Sequence, residues 1–251
     1  MEKGASREMS FLVCENVTKS FGGLTAVSKV SFQIERGEII GLIGPNGAGK
    51  TTLFSMINGF YSLDQGRVLF LDEPIHHLKP NKICKKGIGR TFQIAKPFSN
   101  LTILQNVRMG AYNTTHKMAI AEENALEVIH FVDLGEKKDQ LAKNLTIEDR
   151  KRLELARALA TKPKLLLLDE VMAGLNPTEI EVVALLIREI NKKGVTIFLI
   201  EHVMKAIMPL SNRIIVLHHG ERIAEGTPLE ISKNPKVIEA YLGEEYQFAQ
   251  T

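Results

Sequence analysis

The chain has only two cysteines in 251 residues, Cys14 and Cys84, far apart and outside any C-x-x-C. That excludes a disulfide framework and a cysteine-based zinc site, and it suits a reducing cytosol. Long apolar runs are also missing. The longest, at residues 165–168, 182–187 and 195–200, fall far short of the roughly 20 residues a membrane span needs. Residues 1–10 are polar and carry no apolar signal segment. The sequence therefore predicts a chain that does not itself cross a membrane. Strong charge of either sign is absent, with a formal net charge of +3. A nucleic-acid binder usually shows a more basic face, so nucleic acid is not an expected partner. Slight basicity suits an anionic membrane surface, and it suits an ordinary surface as well. There is no internal repeat and no low-complexity segment. The pairs His76-His77 and His218-His219 have no further His or Cys at ligand spacing, which favours solvated turns over metal binding.

What is present is enough for a core. The composition is 44% hydrophobic and 24% charged, which supports one large domain or two small ones. The organising stretch is residues 44–52: Gly44, Pro45, Asn46, Gly47, Ala48, Gly49, Lys50, Thr51 and Thr52. It fits the phosphate-loop pattern G-x-x-x-x-G-K-[ST] at Gly44, Gly49, Lys50 and Thr51. Residues 38–43 read as a short buried strand before it, and residues 50–58 as a helix after it, with Gly59 in the stop position. Glycines let the backbone wrap a phosphate chain, and successive N–H groups at a helix start point at the anion. Lys50 can reach the β- and γ-phosphates, and the Thr51 hydroxyl can ligate Mg²⁺.

Around this loop the pattern predicts a mainly parallel α/β sheet. Alternating apolar residues mark strands at 11–17 and 30–34, with a turn at Phe21-Gly22-Gly23 between them. Residues 67–71 give a further strand, and 81–86 a short helix. From residue 94 to 145 the character turns helical, with helices at 103–111 and 118–131. The second carries Ala121, Ala125, Leu126 and Ile129 along one face. Thr146 caps a helix over 146–160, with Asp149 placed to reach back in a near capping box. Then come a buried strand at 164–168, a helix at 177–192 and a strand at 195–200. A hairpin at 213–217 and 221–224 follows, and a tail at 228–243 that is helical in pieces.

The strand ending at Leu168 runs into Asp169-Glu170. Two acids at the carboxyl end of a buried strand lie on the rim where α/β proteins bind ligands. Asp169 is expected to hold Mg²⁺ through water, and Glu170 to orient or deprotonate the attacking water. The strand at 195–200 ends at Glu201-His202 on the same rim, making His202 a candidate γ-phosphate contact. Gln93, where core meets helical stretch, is placed to touch Mg²⁺ or the water. Spacing alone singles out neither His202 nor Gln93.

Together these residues resemble the ATP-binding subunit of an ABC transporter over essentially the whole length. Thr91-Phe92-Gln93 matches that family's glutamine loop, residues 165–170 its acidic strand, residues 173–176 the loop that follows, and His202 its switch histidine. Phe21 sits where the family stacks an aromatic on adenine. Gly89-Arg90-Thr91-Phe92-Gln93 with Phe98, and residues 234–243, resemble the branched-chain amino acid importer group. Lipopolysaccharide-export ATPases are similar in both places.

The resemblance implies an α/β P-loop NTPase core of the ABC type with an antiparallel β subdomain and an inserted helical subdomain. The domain is a single one over 1–251, with core 1–93 and 161–251 and helical part about 94–160. It implies ATP and Mg²⁺ as ligands and a place on the cytoplasmic face of the membrane. Transmembrane permease subunits and a second ATPase subunit are the implied partners, and a solute-binding protein is an indirect one. Motion is expected to pass to the permease near residues 93–104. The alternatives are an exporter of lipid or lipopolysaccharide, or a soluble ABC ATPase. The latter usually carries two nucleotide domains or a long coiled coil, which this chain lacks.

Three departures stand out. The family signature Leu-Ser-Gly-Gly-Gln is here Leu145-Thr146-Ile147-Glu148-Asp149. Asn176 replaces an aspartate, and Val171 a proline. Bulk and acids in the signature predict a weak site there, and hence a heterodimer with a different ATPase rather than a homodimer, unless the acids cap the helix and point away.

Overall fold

A computed structural model describes residues 11–92 and 97–248, with residues 242–248 described by backbone alone. Strands β1 (Leu12–Phe21) and β2 (Leu24–Ile34) form an antiparallel hairpin closed by Gly22-Gly23. Both are longer than the alternation predicts. Their register slips between Cys14 and Val17 and again near Lys19, and Asn16 takes a φ of 48°. Such bulges break the period of two, so the outer halves do not read as strands. The hairpin is followed by β3 (Ile39–Ile43), α1 (Lys50–Ile57), β4 (Gln65–Phe70), β5 (Glu73–Pro74), α2 (Pro80–Lys86) and β6 (Ile88–Arg90).

Three helices come next: α3 (Ile103–Ala111), α4 (Met118–Phe131) and α5 (Ile147–Leu159). The first two have the predicted bounds. The chain then runs through β7 (Leu165–Asp169), α6 (Pro177–Lys192), β8 (Thr196–Ile200) and α7 (Met204–Leu210). It ends with β9 (Arg213–His218), β10 (Glu221–Gly226), α8 (Pro228–Ser232) and α9 (Pro235–Phe248). Helix α7 is a correction to the sequence reading. It is short, and Pro209 inside it masks the helical signal.

The strands build two sheets. One is antiparallel, in the order β2-β1-β4-β5. The other is β10-β9-β3-β8-β7-β6, parallel except for the antiparallel edge strand β10. The central strands are apolar throughout because both faces are covered. On β7 the alternation is direct. Leu165 and Leu167 enter the core beneath the antiparallel sheet, where Phe32, Phe54 and Phe198 meet. Leu166 and Leu168 enter the core on the other face, with Ile187, Ile190 and Ile207. Each such buried leucine is worth about 1.5–3 kcal/mol.

A third cluster is built from α3, α4 and α5. Its buried members include Ile103, Val107, Ala121, Ala125, Ile129, Leu153 and Ala156. Small residues at Ala121, Ala125 and Ala156 let these helices approach closely. Leu126 is only half-buried. Thr102 starts α3 with a full capping box to Gln105. On α5 the box is half made, correcting the expectation. Thr146 accepts from the Asp149 N–H, while the Asp149 carboxylate turns to Lys137 at 2.7 Å. Among the described residues no helix is long and apolar enough to cross a membrane.

Candidate active site

The central strand β3 delivers the loop at 44–49 to the carboxyl edge of the parallel sheet, between β8 and β9. Two glycines make the loop possible. Gly44 has a φ of +150°, and a Cβ there would lie 2.1 Å from the Leu217 carbonyl oxygen. Gly49 has a φ of +97°, and its Cβ would lie 2.3 Å from the Ala26 carbonyl oxygen. So β9 and the β1–β2 hairpin press on the loop from two sides. The His218-His219-Gly220 turn braces it as well, with the Gly220 N–H donating to the Ala48 carbonyl. Lys50 arches back over the loop, and its Nζ donates to the carbonyls of Gly44 at 2.6 Å and Pro45 at 2.8 Å. Pro45 and Ala48 are buried, Asn46, Gly47 and Thr51 exposed, and Thr52 half-buried.

Strand β7, two places along the sheet from β3, ends at Asp169, which pairs in register with Ile200 of β8. The Asp169 carboxylate is 1% exposed. Its Oδ2 accepts from Arg90 at 2.8 Å, and its Oδ1 has no hydrogen-bond partner. Burial raises the Asp169 pKa, and the Arg90 contact opposes this.

Glu170 stands in the left-handed region at φ 51°. That is uncommon for a non-glycine and costs on the order of 1–3 kcal/mol. The conformation is held on both sides. The Glu170 N–H donates to the Ile200 carbonyl at 3.0 Å, and its own carbonyl accepts from Lys151 of α5 at 3.1 Å. Such a pinned outlier at a strand end makes Glu170 a candidate functional position. Val171 is buried in the core beneath, filling the place of the family proline. Asn176 caps α6 with a full box to Glu179, work that an aspartate does equally well.

The next strand along, β8, ends at Glu201 and His202. His202 is exposed on the rim. Glu201 is 1% exposed, and its Oε1 accepts from the Met172 N–H at 2.8 Å. Burial, aided by nearby Glu170, pushes its carboxyl up to about 7. It therefore bridges the segment after Glu170 to the segment before His202. Phe21 is 42% exposed at the hairpin tip, edge-on to Tyr61 with ring centroids 5.1 Å apart, and Lys19 Nζ lies 5.5 Å from its ring.

The structure thus brings the phosphate loop, Asp169, Glu170 and His202 to one edge. Gln93 lies outside the described residues. The sequence reading gave no individual role to Arg90, Lys151, Glu154 or Glu201. Glu154 of α5 accepts a short hydrogen bond from the Phe92 N–H, at the entry to residue 93. Charged residues at the end of a strand and on an otherwise core-facing helix are the signal that could have found them.

Comparison with known proteins decides the lineage. The family described as ABC transporter matches residues 27–173. The chain belongs to the ABC transporter ATP-binding family. A second description, branched-chain amino acid ATP-binding cassette transporter, matches residues 221–247. The chain is 40% identical to the high-affinity branched-chain amino acid transport ATP-binding protein LivG of Escherichia coli K12, over 89% of this chain and 94% of that protein. It superposes on an ATP-binding cassette of an ABC transporter in its ADP conformation with a TM-score of 0.86 at 32% identity. That alignment covers 94% of this chain and all of the other. A dimeric cassette in a post-hydrolysis state bound to ADP and Pi gives a TM-score of 0.79 at 25% identity, over 87% of this chain and 99% of that one. The ABC assignment makes this chain a nucleotide-binding ATPase whose hydrolysis is coupled to transport.

The expected stacking of adenine on Phe21 makes a direct prediction. Phe21→Ala weakens ADP binding by on the order of 1–3 kcal/mol, the range for base stacking on an aromatic, while Phe21→Tyr is mild. Fluorescence titration of the purified chain measures both. An unchanged dissociation constant for Phe21→Ala assigns the ring to packing on Tyr61 alone.

Proposed function

We propose that the chain is the ATP-hydrolysing subunit of an importer of branched-chain or related amino acids, working at the cytoplasmic face of the membrane on permease subunits. The supporting observation is the match at residues 221–247, which adds to the LivG similarity a stretch outside the region matched by the general ABC description. Lys50 and the loop hold the phosphates, Glu170 is the base for the attacking water, and His202 contacts the γ-phosphate. Thr51, exposed in the first turn of α1, and the buried, unpartnered Asp169 Oδ1 fit Mg²⁺, Asp169 through a bound water. When bound, Mg²⁺ supplies charge neutralisation on the β- and γ-phosphates. Gln93 completes the set as the nucleotide sensor.

Helices α3, α4 and α5 act as the moving arm in this reading. Between that arm and the core lies a groove of about 290 Å³, lined by Phe92, Phe98, Met109, Glu154 and Arg157. Phe92, Phe98 and Met109 are each about half exposed. This is where a permease segment docks.

The altered signature supports a heterodimer, on grounds narrower than charge alone. Glu148 pairs with Arg152 at 2.6 Å, an arginine it shares with Asp133 at 2.9 Å, and Asp149 with Lys137 at 2.7 Å, so both acids have a cationic partner in their own subunit. What remains is bulk, with Ile147 62% exposed at the first turn of α5 where the family has glycine. A side chain there keeps a facing phosphate away from the backbone N–H groups. The expected result is that the purified chain alone neither dimerises with ATP nor turns it over, while its mixture with the partner ATPase does both. The double variant Ile147→Gly with Glu148→Gly gains ATP-driven self-association. Robust turnover by the wild-type chain alone sinks the heterodimer. Co-purification from mild detergent without amino acid permease subunits sinks the transport assignment.

A further inference from the structure

The Arg90 guanidinium is fixed at four points. One arm donates to Asp169 Oδ2 at 2.8 Å, and the other to Ser55 Oγ of α1 at 3.1 Å. Its carbon lies 5.2 Å from the Phe92 ring centroid and 5.9 Å from that of Phe54. The two charged side chains are 7% and 1% exposed. A pair this deep is held in one geometry, and removing one member leaves the other charge uncompensated. Neighbouring backbone strengthens the hold. The Asp169 N–H donates to Thr91 Oγ1 at 3.1 Å, and the Thr91 N–H donates to the Leu167 carbonyl. Residues 90 and 91 thus fix both the side chain and the backbone at the end of β7. The same arrangement leaves Asp169 Oδ1 buried and unpartnered.

We propose that Arg90 is a positioning residue that turns the Asp169 carboxylate so that Oδ1 is presented to a magnesium-bound water, and that links this setting to the helix of the phosphate loop through Ser55. The proposal rests on the reading of Asp169 as the metal-side acid. A lysine cannot replace this guanidinium, because a point ammonium lacks the planar fork and the stacking faces. The link also reaches the arm, since Phe92, stacked on Arg90, gives its N–H to Glu154 of α5.

The test is binding of a fluorescent ADP to the purified chain, titrated with Mg²⁺ against EDTA, for wild type, Arg90→Gln, Arg90→Lys and Asp169→Asn. Arg90→Gln is expected to raise the Mg²⁺ midpoint by about 10–100-fold, the cost of losing a partner that orients a metal ligand. Its affinity for ADP in EDTA stays unchanged. Arg90→Lys falls between the two. A purely structural role lowers the melting temperature and leaves the midpoint in place, and that result overturns the proposal. Where Arg90→Gln does not fold, Arg90→Lys decides by the same criterion. If Asp169→Asn shifts the midpoint and the Arg90 variants do not, only the role of Arg90 falls. If Asp169→Asn does not shift it either, the reading of Asp169 falls with it.

Discussion

Glu170→Gln leaves ATP binding intact and cuts turnover of the assembled transporter by about 10²–10⁴-fold, the usual contribution of a positioned general base. The substitution keeps the shape and one hydrogen-bonding oxygen, and removes the group that accepts the proton. The backbone is not at risk. Its φ of 51° is set by the Ile200 carbonyl on one side and Lys151 on the other, and neither contact involves the side chain. Electrostatics point the same way. Burial raises the pKa of Asp169 and of Glu201, and the charge of Glu170 adds to both shifts. Removing one negative charge from three acids beside a polyanion does not weaken nucleotide binding. The variant therefore accumulates with ATP bound, in the closed dimer. Turnover is read by phosphate release, and closure by gel filtration with ATP. Wild-type turnover would show that Glu170 is not the base.

Much of this site was legible because it is written in contiguous residues. The phosphate loop needs Gly44, Gly49, Lys50 and Thr51 at fixed spacing, and the acids follow directly on a buried run of leucines. Helices α3, α4 and α6 were readable because their apolar period or caps are local. The remainder depends on contacts far apart in the chain. Arg90 meets Asp169 across 79 residues, and Glu154 meets the Phe92 N–H across 62. No local period announces such a pairing. The signature acids show the same limit from the other side. In sequence Glu148 and Asp149 face a phosphate site. In the fold Asp149 is taken by Lys137, which is twelve residues away and beyond any helical spacing. The outer halves of the bulged hairpin, and α7, were lost for a third reason, because Asn16 and Pro209 interrupt the very periods on which reading depends.

These contacts make α5 the element through which arm and site communicate. Its Glu154 holds the entry to residue 93, and its Lys151 holds the carbonyl of Glu170. Its first turn carries the altered signature. In the proposed reading, movement of the arm either carries Glu170 along or breaks the Lys151 contact.

Lys50→Ala abolishes hydrolysis, with a loss of at least about 10²–10³-fold, the cost of removing one preorganised donor to developing charge. The loop itself should survive. Its shape is set by Gly44 and Gly49 and by the close approach of Leu217 and Ala26, none of which needs the lysine. What disappears is a cation, 9% exposed, whose Nζ already spans the carbonyls of Gly44 and Pro45. That arch places the charge over the loop before any phosphate arrives, so it costs no reorganisation when charge develops in transfer. Lys50→Arg does not rescue. A planar guanidinium is too broad for an arch closed at 2.6 and 2.8 Å by two carbonyls of the same loop. Nucleotide binding by titration and melting temperature without nucleotide separate the two parts of the expectation. A cooperative melting transition with lost phosphate release in the partnered complex supports it. Hydrolysis at the wild-type rate by a folded Lys50→Ala chain in complex with its partner ATPase would remove the loop from the chemistry.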